Sequence, residues 1–172
     1  MAMIQKGFED WQSKPTVIKG NIGERLVREY LERKGYIVYE PQTDGAHGFD
    51  KLAIFNKRQA IIVECKSKAR RNKYADTGIN IKHFEEYQYI SARHNLPVFI
   101  FFVDELIGKI YGNTLTELLV PRVVDGKQYP SREKGIIYFP LINTKTVCDI
   151  SEGEAELMRV SSTRNYEYAP IA

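Results

Sequence analysis

In the stretch "AIIVECKSKARR", two charged residues, Glu64 and Lys66, follow directly on an apolar run. An ionised side chain is costly to desolvate unless it is paired or bound to a metal, so this placement calls for a chemical reason. In an extended strand alternate residues share a face, which sends Glu64 and Lys66 into one small volume while Val63 and Cys65 point the other way. Upstream, across thirteen intervening residues, Asp50 opens the β-rich run "FDKLAIF". If the two runs form a hairpin about "NKR", Asp50 lies beside Glu64 and Lys66. Two carboxylates at a sheet end make a hard-oxygen site suited to magnesium or manganese, since magnesium takes one or two carboxylates and keeps several waters. A protonated lysine cannot ligate, but its ammonium can orient a nucleophilic water or stabilise a pentavalent phosphate.

The elements that would hold these residues are readable from periodicity. In "NIGERLVREYLERKG", Ile22, Leu26, Val27, Tyr30 and Leu31 form one helical face, with Asn21 as N-cap and Gly35 as stop. Glu24 falls on the first turn, at the rim of that face. Three β-rich runs follow, "YIVYE", "FDKLAIF" and "QAIIVECK", the last two a predicted hairpin. A basic loop then runs to Gly78, and a helix follows around "NIKHFEEYQYISARHN", with Ile81, Phe84, Tyr87 or Gln88, and Ser91 along a face. "PVFIFFVD" is the most apolar run, as befits a sheet centre covered on both sides. "GKIYG" and "GIIYFPL" read as further strands, "LTELL" and "SEGEAELMRVS" as short helices. The order α-β-β-β-α-β predicts a three-layer α/β (α+β) domain with a central mixed sheet flanked by helices, plus a C-terminal accessory strand and helices.

Composition sets the outer bounds. The chain of 172 residues is the size of one domain, with 43% apolar and 27% charged residues. The opening "MAMIQKGFEDWQSKP" has neither the apolar core nor the cleavage site of a signal peptide, and no run is long enough for a membrane span, so a cytoplasmic location is expected. Cys65 and Cys148 stand in no zinc or disulfide spacing and are expected to be packing residues. The formal charge of +3 is small but unevenly spread. Residues 57–73 hold seven basic residues against one acid, a local charge of +6 that could bind phosphates or simply face water.

An aspartate at a strand start followed, after an apolar run, by Glu-Cys-Lys resembles the PD-(D/E)xK nuclease superfamily, the restriction-endonuclease-like enzymes. Asp50 and Glu64 match that family's metal-binding acids, Lys66 its catalytic lysine, and Glu24 in "GNIGERLV" the helical glutamate that completes the metal site in many members. "GNIGERLVREYLERKGYIVYE" is itself similar to the opening of archaeal Holliday-junction resolvases. The resemblance covers residues 20–103, a nuclease-like core, and leaves 104–172 as unmatched accessory elements. Phe49 stands where the motif's proline would be, a common replacement in the superfamily.

The resemblance implies magnesium-dependent cleavage of DNA, RNA not being excluded, with a homodimer possible and no small-molecule cofactor. It also implies a metal ligand in the Cys65 backbone carbonyl. Around this set, Lys68, Arg70, Arg71, Lys73 and Lys82 are candidate phosphate contacts, and Tyr74 could stack on a nucleic acid. His47 could touch the scissile phosphate, although a lone loop histidine is often merely exposed. Gln88 resembles a supporting residue of some family members, or is an ordinary exposed helical glutamine. Two rival readings stay open: a catalytically inactive nucleic-acid-binding or assembly module retaining the fold, and a structural ion pair between Glu64 and Lys66.

Overall fold

The computed structural model describes residues 12–41, 48–56 and 58–161. His47, Asp44, Trp11 and the segment 162–172 lie outside the described residues. Helix α1 (Pro15–Arg33) starts about two turns before the Asn21 cap expected from the sequence. Pro15 occupies the opening turn, where its fixed φ suits a helix and its missing N–H costs nothing. The added turns bury Lys19, whose ammonium meets Glu105 at 2.5 Å. Gly35, at φ +87°, ends the helix as expected.

The main sheet has six strands: β1 (Tyr36–Tyr39), β2 (Lys51–Phe55), β3 (Gln59–Ser67), β5 (Val98–Asp104), β6 (Lys109–Thr114) and β11 (Lys145–Asp149). They lie side by side in the order β1-β2-β3-β5-β6-β11. β2 and β3 form the predicted antiparallel hairpin, with Lys51 opposite Val63 and Phe55 opposite Gln59. β3 runs parallel to β5, and every other pairing in this sheet is antiparallel, so the sheet is mixed.

Each face of the sheet has its own core. On one, Val63, Cys65, Phe101 and Val103 pack against Leu26, Val27 and Leu31 of α1 and Met158 of α4 (Glu152–Val160). On the other, Ile62, Ile100 and Phe102 pack against Phe84 and Tyr87 of α2 (Ile81–His94), together with Ile79, Ile137 and Phe139. The last three belong to a second sheet, β4 (Asp76–Asn80), β10 (Ile136–Pro140) and β9 (Ser131–Glu133), in the order β4-β10-β9. The remaining elements among the described residues are α3 (Leu115–Leu118), a small hairpin of β7 (Arg122–Val124) and β8 (Lys127–Tyr129), and a 3-10 turn at Leu141–Asn143.

One expectation changes here. The loop after β3 ends at Asp76 rather than Gly78, because residues 76–80 pair with β10. The run "GIIYFPL", expected as a strand, is β10 of that second sheet. β4 reads as loop in isolation, since its partner β10 lies more than fifty residues away.

α1 sits tightly on β3. A Cβ placed on Gly23 would lie 2.0 Å from Ser67 Oγ, so only glycine lets the helix approach this closely. Glu24 is the next residue, and its place behind the sheet end follows from that contact.

Candidate active site

Asp50 precedes the first residue of β2, and there the β2–β3 ladder stops. The Asp50 N–H donates to the Val63 carbonyl at 3.2 Å. Two residues further along β3, beyond the last cross-strand partner, the Cys65 N–H donates to Asp50 Oδ2 at 2.7 Å. The carboxylate thus replaces a strand at the open edge. In an extended chain the N–H and C=O of one residue face the same edge, so the Cys65 carbonyl also faces the Asp50 side.

Glu64 and Lys66 project together on the α2 side, as alternation requires. Glu64 is 4% exposed. Lys66 Nζ lies 2.5 Å from Glu64 Oε1. The Tyr87 hydroxyl of α2 donates to Glu64, the Lys66 ammonium stands 5.8 Å from the Tyr87 ring centroid, and His83 Nδ1 is 3.4 Å from the Tyr87 oxygen. Glu24 approaches from α1, on the opposite face. Its Oε2 is 3.4 Å from Lys51 Nζ, which also lies 3.0 Å from Glu40 Oε1.

No protein-family model and no curated protein sequence matches the chain. Among solved structures it is similar to Hjc of Archaeoglobus fulgidus, a Holliday junction resolvase from an archaeal hyperthermophile. The TM-score is 0.52 at 13% identity, covering 73% of this chain and 86% of that one. The chain has a resolvase-like nuclease fold.

Within this resolvase-like fold the electrostatics single out one pair of acids. Burial, reinforced by the neighbouring Glu64 charge, pushes Asp50 up to about 6. Burial also raises Glu64, with Lys66 and the Tyr87 hydroxyl opposing it. Glu24 is raised by burial and by the charge of Asp50, so it shares their field from behind the sheet. The Cys65 thiol is buried and pushed well up, which leaves it inert as a nucleophile.

Among the described residues, no three His, Cys, Asp or Glu side chains converge as a metal cage. A two-carboxylate site for a largely hydrated magnesium needs no such cage. Asp50 and Glu64 fit it, being acids whose mutual repulsion a divalent cation would relieve.

The basic run is divided in use. Lys68 Nζ donates to the Gly78 carbonyl at 3.0 Å. Arg70 Nε is 3.2 Å from Asp104 Oδ2, and its backbone N–H donates to the same oxygen at 3.1 Å. Arg71 makes a bidentate pair with Asp76 and reaches Glu133 at 3.2 Å. Both arginines are thus committed to acids of the fold. Lys73 and Lys82 are exposed, as is Gln88 on α2. Tyr74, 46% exposed, covers the Arg71 guanidinium at 4.5 Å and Lys127 Nζ at 4.4 Å.

Sequence reasoning misses two members of this site. Tyr87 reads as an ordinary core position, and its only signal is that a buried tyrosine needs a partner for its hydroxyl. Lys51 reads as a solvent-facing strand residue, yet it is buried.

Proposed function

We propose that the chain is a divalent-metal-dependent phosphodiesterase that cuts DNA. One observation carries this reading: half-buried Asp50 and buried Glu64 stand together at the sheet end, and Asp50 is pushed up to about 6 by burial and the Glu64 charge despite Lys66, Lys51 and the Cys65 N–H. Structural acids are normally fully paired, and perturbed ones cluster at functional sites.

Asp50, Glu64 and the Cys65 carbonyl would hold the ion. A bound magnesium or manganese supplies a nucleophilic water at neutral pH and charge neutralisation at the phosphate. Lys66, anchored by Glu64, would orient the attacking water and meet the negative charge that develops on the phosphate oxygens. Tyr87 fixes the Glu64 carboxylate through its hydroxyl. Lys73 and Lys82, exposed beyond the site, supply phosphate contacts that hold the duplex in register. Cutting both strands of a duplex would take two copies, one site per strand.

The test is cleavage of plasmid, branched and single-stranded DNA, and of RNA, with magnesium, with manganese and with EDTA. Cleavage is expected only with metal, and is lost in Glu64→Gln and Lys66→Ala. Equal activity in wild type and both variants would assign it to a contaminant. A second reading has its own support in the Lys66–Glu64 and Lys51–Glu24 contacts, which offset acids with protein cations alone. On that reading the fold is a binding or assembly module, and magnesium neither activates nor stabilises it.

A further inference from the structure

Among the described residues, Lys51 is a buried cation beside the site to which the reaction above assigns no role. Its side chain is 2% exposed, and it follows Asp50 directly in the chain. Alternation along the strand turns it to the α1 face, where its cross-strand partner Val63 packs in the α1 core. Its ammonium lies against Glu40 at 3.0 Å and Glu24 at 3.4 Å, and Glu40 also meets Arg28 at 3.4 Å. A buried ammonium persists only where carboxylates compensate it.

The converse holds for the acids. Glu24 and Glu40 are both ion-paired, sharing two protein cations, Lys51 and Arg28. Asp50 and Glu64, on the other side of the sheet end, have one close ion pair between them, Lys66 with Glu64, and Lys51 acts on Asp50 without a close contact. Of the two acidic pairs, only Asp50 and Glu64 have charge left for a metal. In a site that binds two ions, the second stands about 3.5–4 Å from the first and needs acids of its own. Glu24 is the further acid whose charge is felt by this pair, and Lys51 already holds it at 3.4 Å.

We propose that Lys51 is a positioning residue that serves as a built-in counter-cation, filling the place beside Glu24 that a second divalent ion would take, so that the site loads one ion per chain. This rests on the metal site proposed above. Lys51 holds Glu24 in an ion pair instead of letting it ligate, which leaves the ion to Asp50 and Glu64.

Manganese titration followed by electron paramagnetic resonance counts the ions directly, without reference to activity. Wild-type protein is expected to bind one manganese per chain. Two would overturn the Lys51 assignment while leaving the metal-dependent reading intact, and none would sink both. Lys51→Met, which keeps the stem and removes the charge, is expected to bind a second ion. One ion at unchanged affinity in that variant would contradict the proposal. Should Lys51→Met fail to fold, Glu24→Gln decides: manganese affinity is expected to stay at the wild-type level, and a fall of about tenfold or more, the size of a lost supporting contact, would show that Glu24 serves the ion after all.

Discussion

Two clusters of buried charge lie at opposite ends of the loop that follows β3, and they are built on opposite principles. Around Asp76, which is fully buried, every need is met: Arg71 pairs with it in bidentate fashion, the Tyr129 hydroxyl donates at 2.7 Å, and Lys127 lies at 3.8 Å. Tyr74 and Tyr138 then cover the Arg71 guanidinium, at 4.5 and 3.6 Å. Around Asp50 and Glu64 compensation falls short: two neighbouring acids, one buried and one half-buried, have one ammonium, the Tyr87 hydroxyl and one backbone N–H, and Asp50 is still pushed up to about 6. The first arrangement holds the second sheet and the basic loop together. The second stores repulsion that only a ligand relieves. A satisfied cluster is thus evidence of structure, and an unsatisfied one of function.

The comparison breaks first on activity. Glu64→Gln keeps the shape of the side chain and removes the charge that holds Lys66 and, in the proposed function, would hold the ion. It is expected to lower DNA cleavage by on the order of 10²–10³-fold or more, the scale of a lost electrostatic contact to the reacting centre. Asp76→Asn should leave cleavage per folded molecule nearly unchanged. Single-turnover rates on the same duplex measure both, and comparable losses in the two would erase the distinction.

On stability the two clusters respond with opposite sign. Asp76→Asn removes the bidentate partner of Arg71, leaving it only Glu133, and is expected to cost about 3 kcal/mol by urea unfolding, near the lower end of what a broken buried pair costs. Asp50→Asn keeps an acceptor for the Cys65 N–H and removes the repulsion from Glu64. It should stabilise the metal-free protein by about 1–2 kcal/mol at neutral pH, a discounted reading of a carboxyl raised from the ordinary aspartate range to about 6.

The same acid sets a pH signature. Because the folded state holds the Asp50 proton more tightly than the unfolded chain, the stability it contributes is complete at low pH and lost as pH rises through about 6. The gap between wild type and Asp50→Asn should therefore open between roughly pH 4 and 6 and stay flat above. Glu64 titrates with it, so the pair rather than one residue gives the midpoint. Metal affinity runs the other way, weakening by up to about tenfold per pH unit below 6 as protons compete with the ion. Calorimetry in matched buffers reads both trends, and a gap that closes as pH rises would be at odds with a repelling pair.

Asp50, Glu64 and Lys66 stand out in the sequence because their charge interrupts an apolar run, and a two-residue period alone places Glu64 and Lys66 on one face. The hairpin that brings Asp50 alongside follows from "NKR" and the length of the flanking runs. What stays hidden depends on distant partners. Lys51 resembles any exposed strand lysine until Glu24 and Glu40 close over it from α1 and from just past β1. Arg70 and Arg71 look like free phosphate contacts until Asp104 and Asp76, remote or on a strand not evident locally, take them up. Local pattern discloses which residues are costly to bury, and tertiary structure alone discloses which of them have been compensated.

The most direct measurement is the thermal unfolding of wild type and Asp50→Asn, each in EDTA and in magnesium. Without metal the variant should melt higher than wild type. With magnesium at about a hundred times its dissociation constant, wild type should gain about 2.7 kcal/mol and overtake it, while the variant does not move. A wild-type protein indifferent to magnesium, together with a variant that melts lower in EDTA, would contradict the claim that Asp50 and Glu64 are a pair held apart for a metal ion.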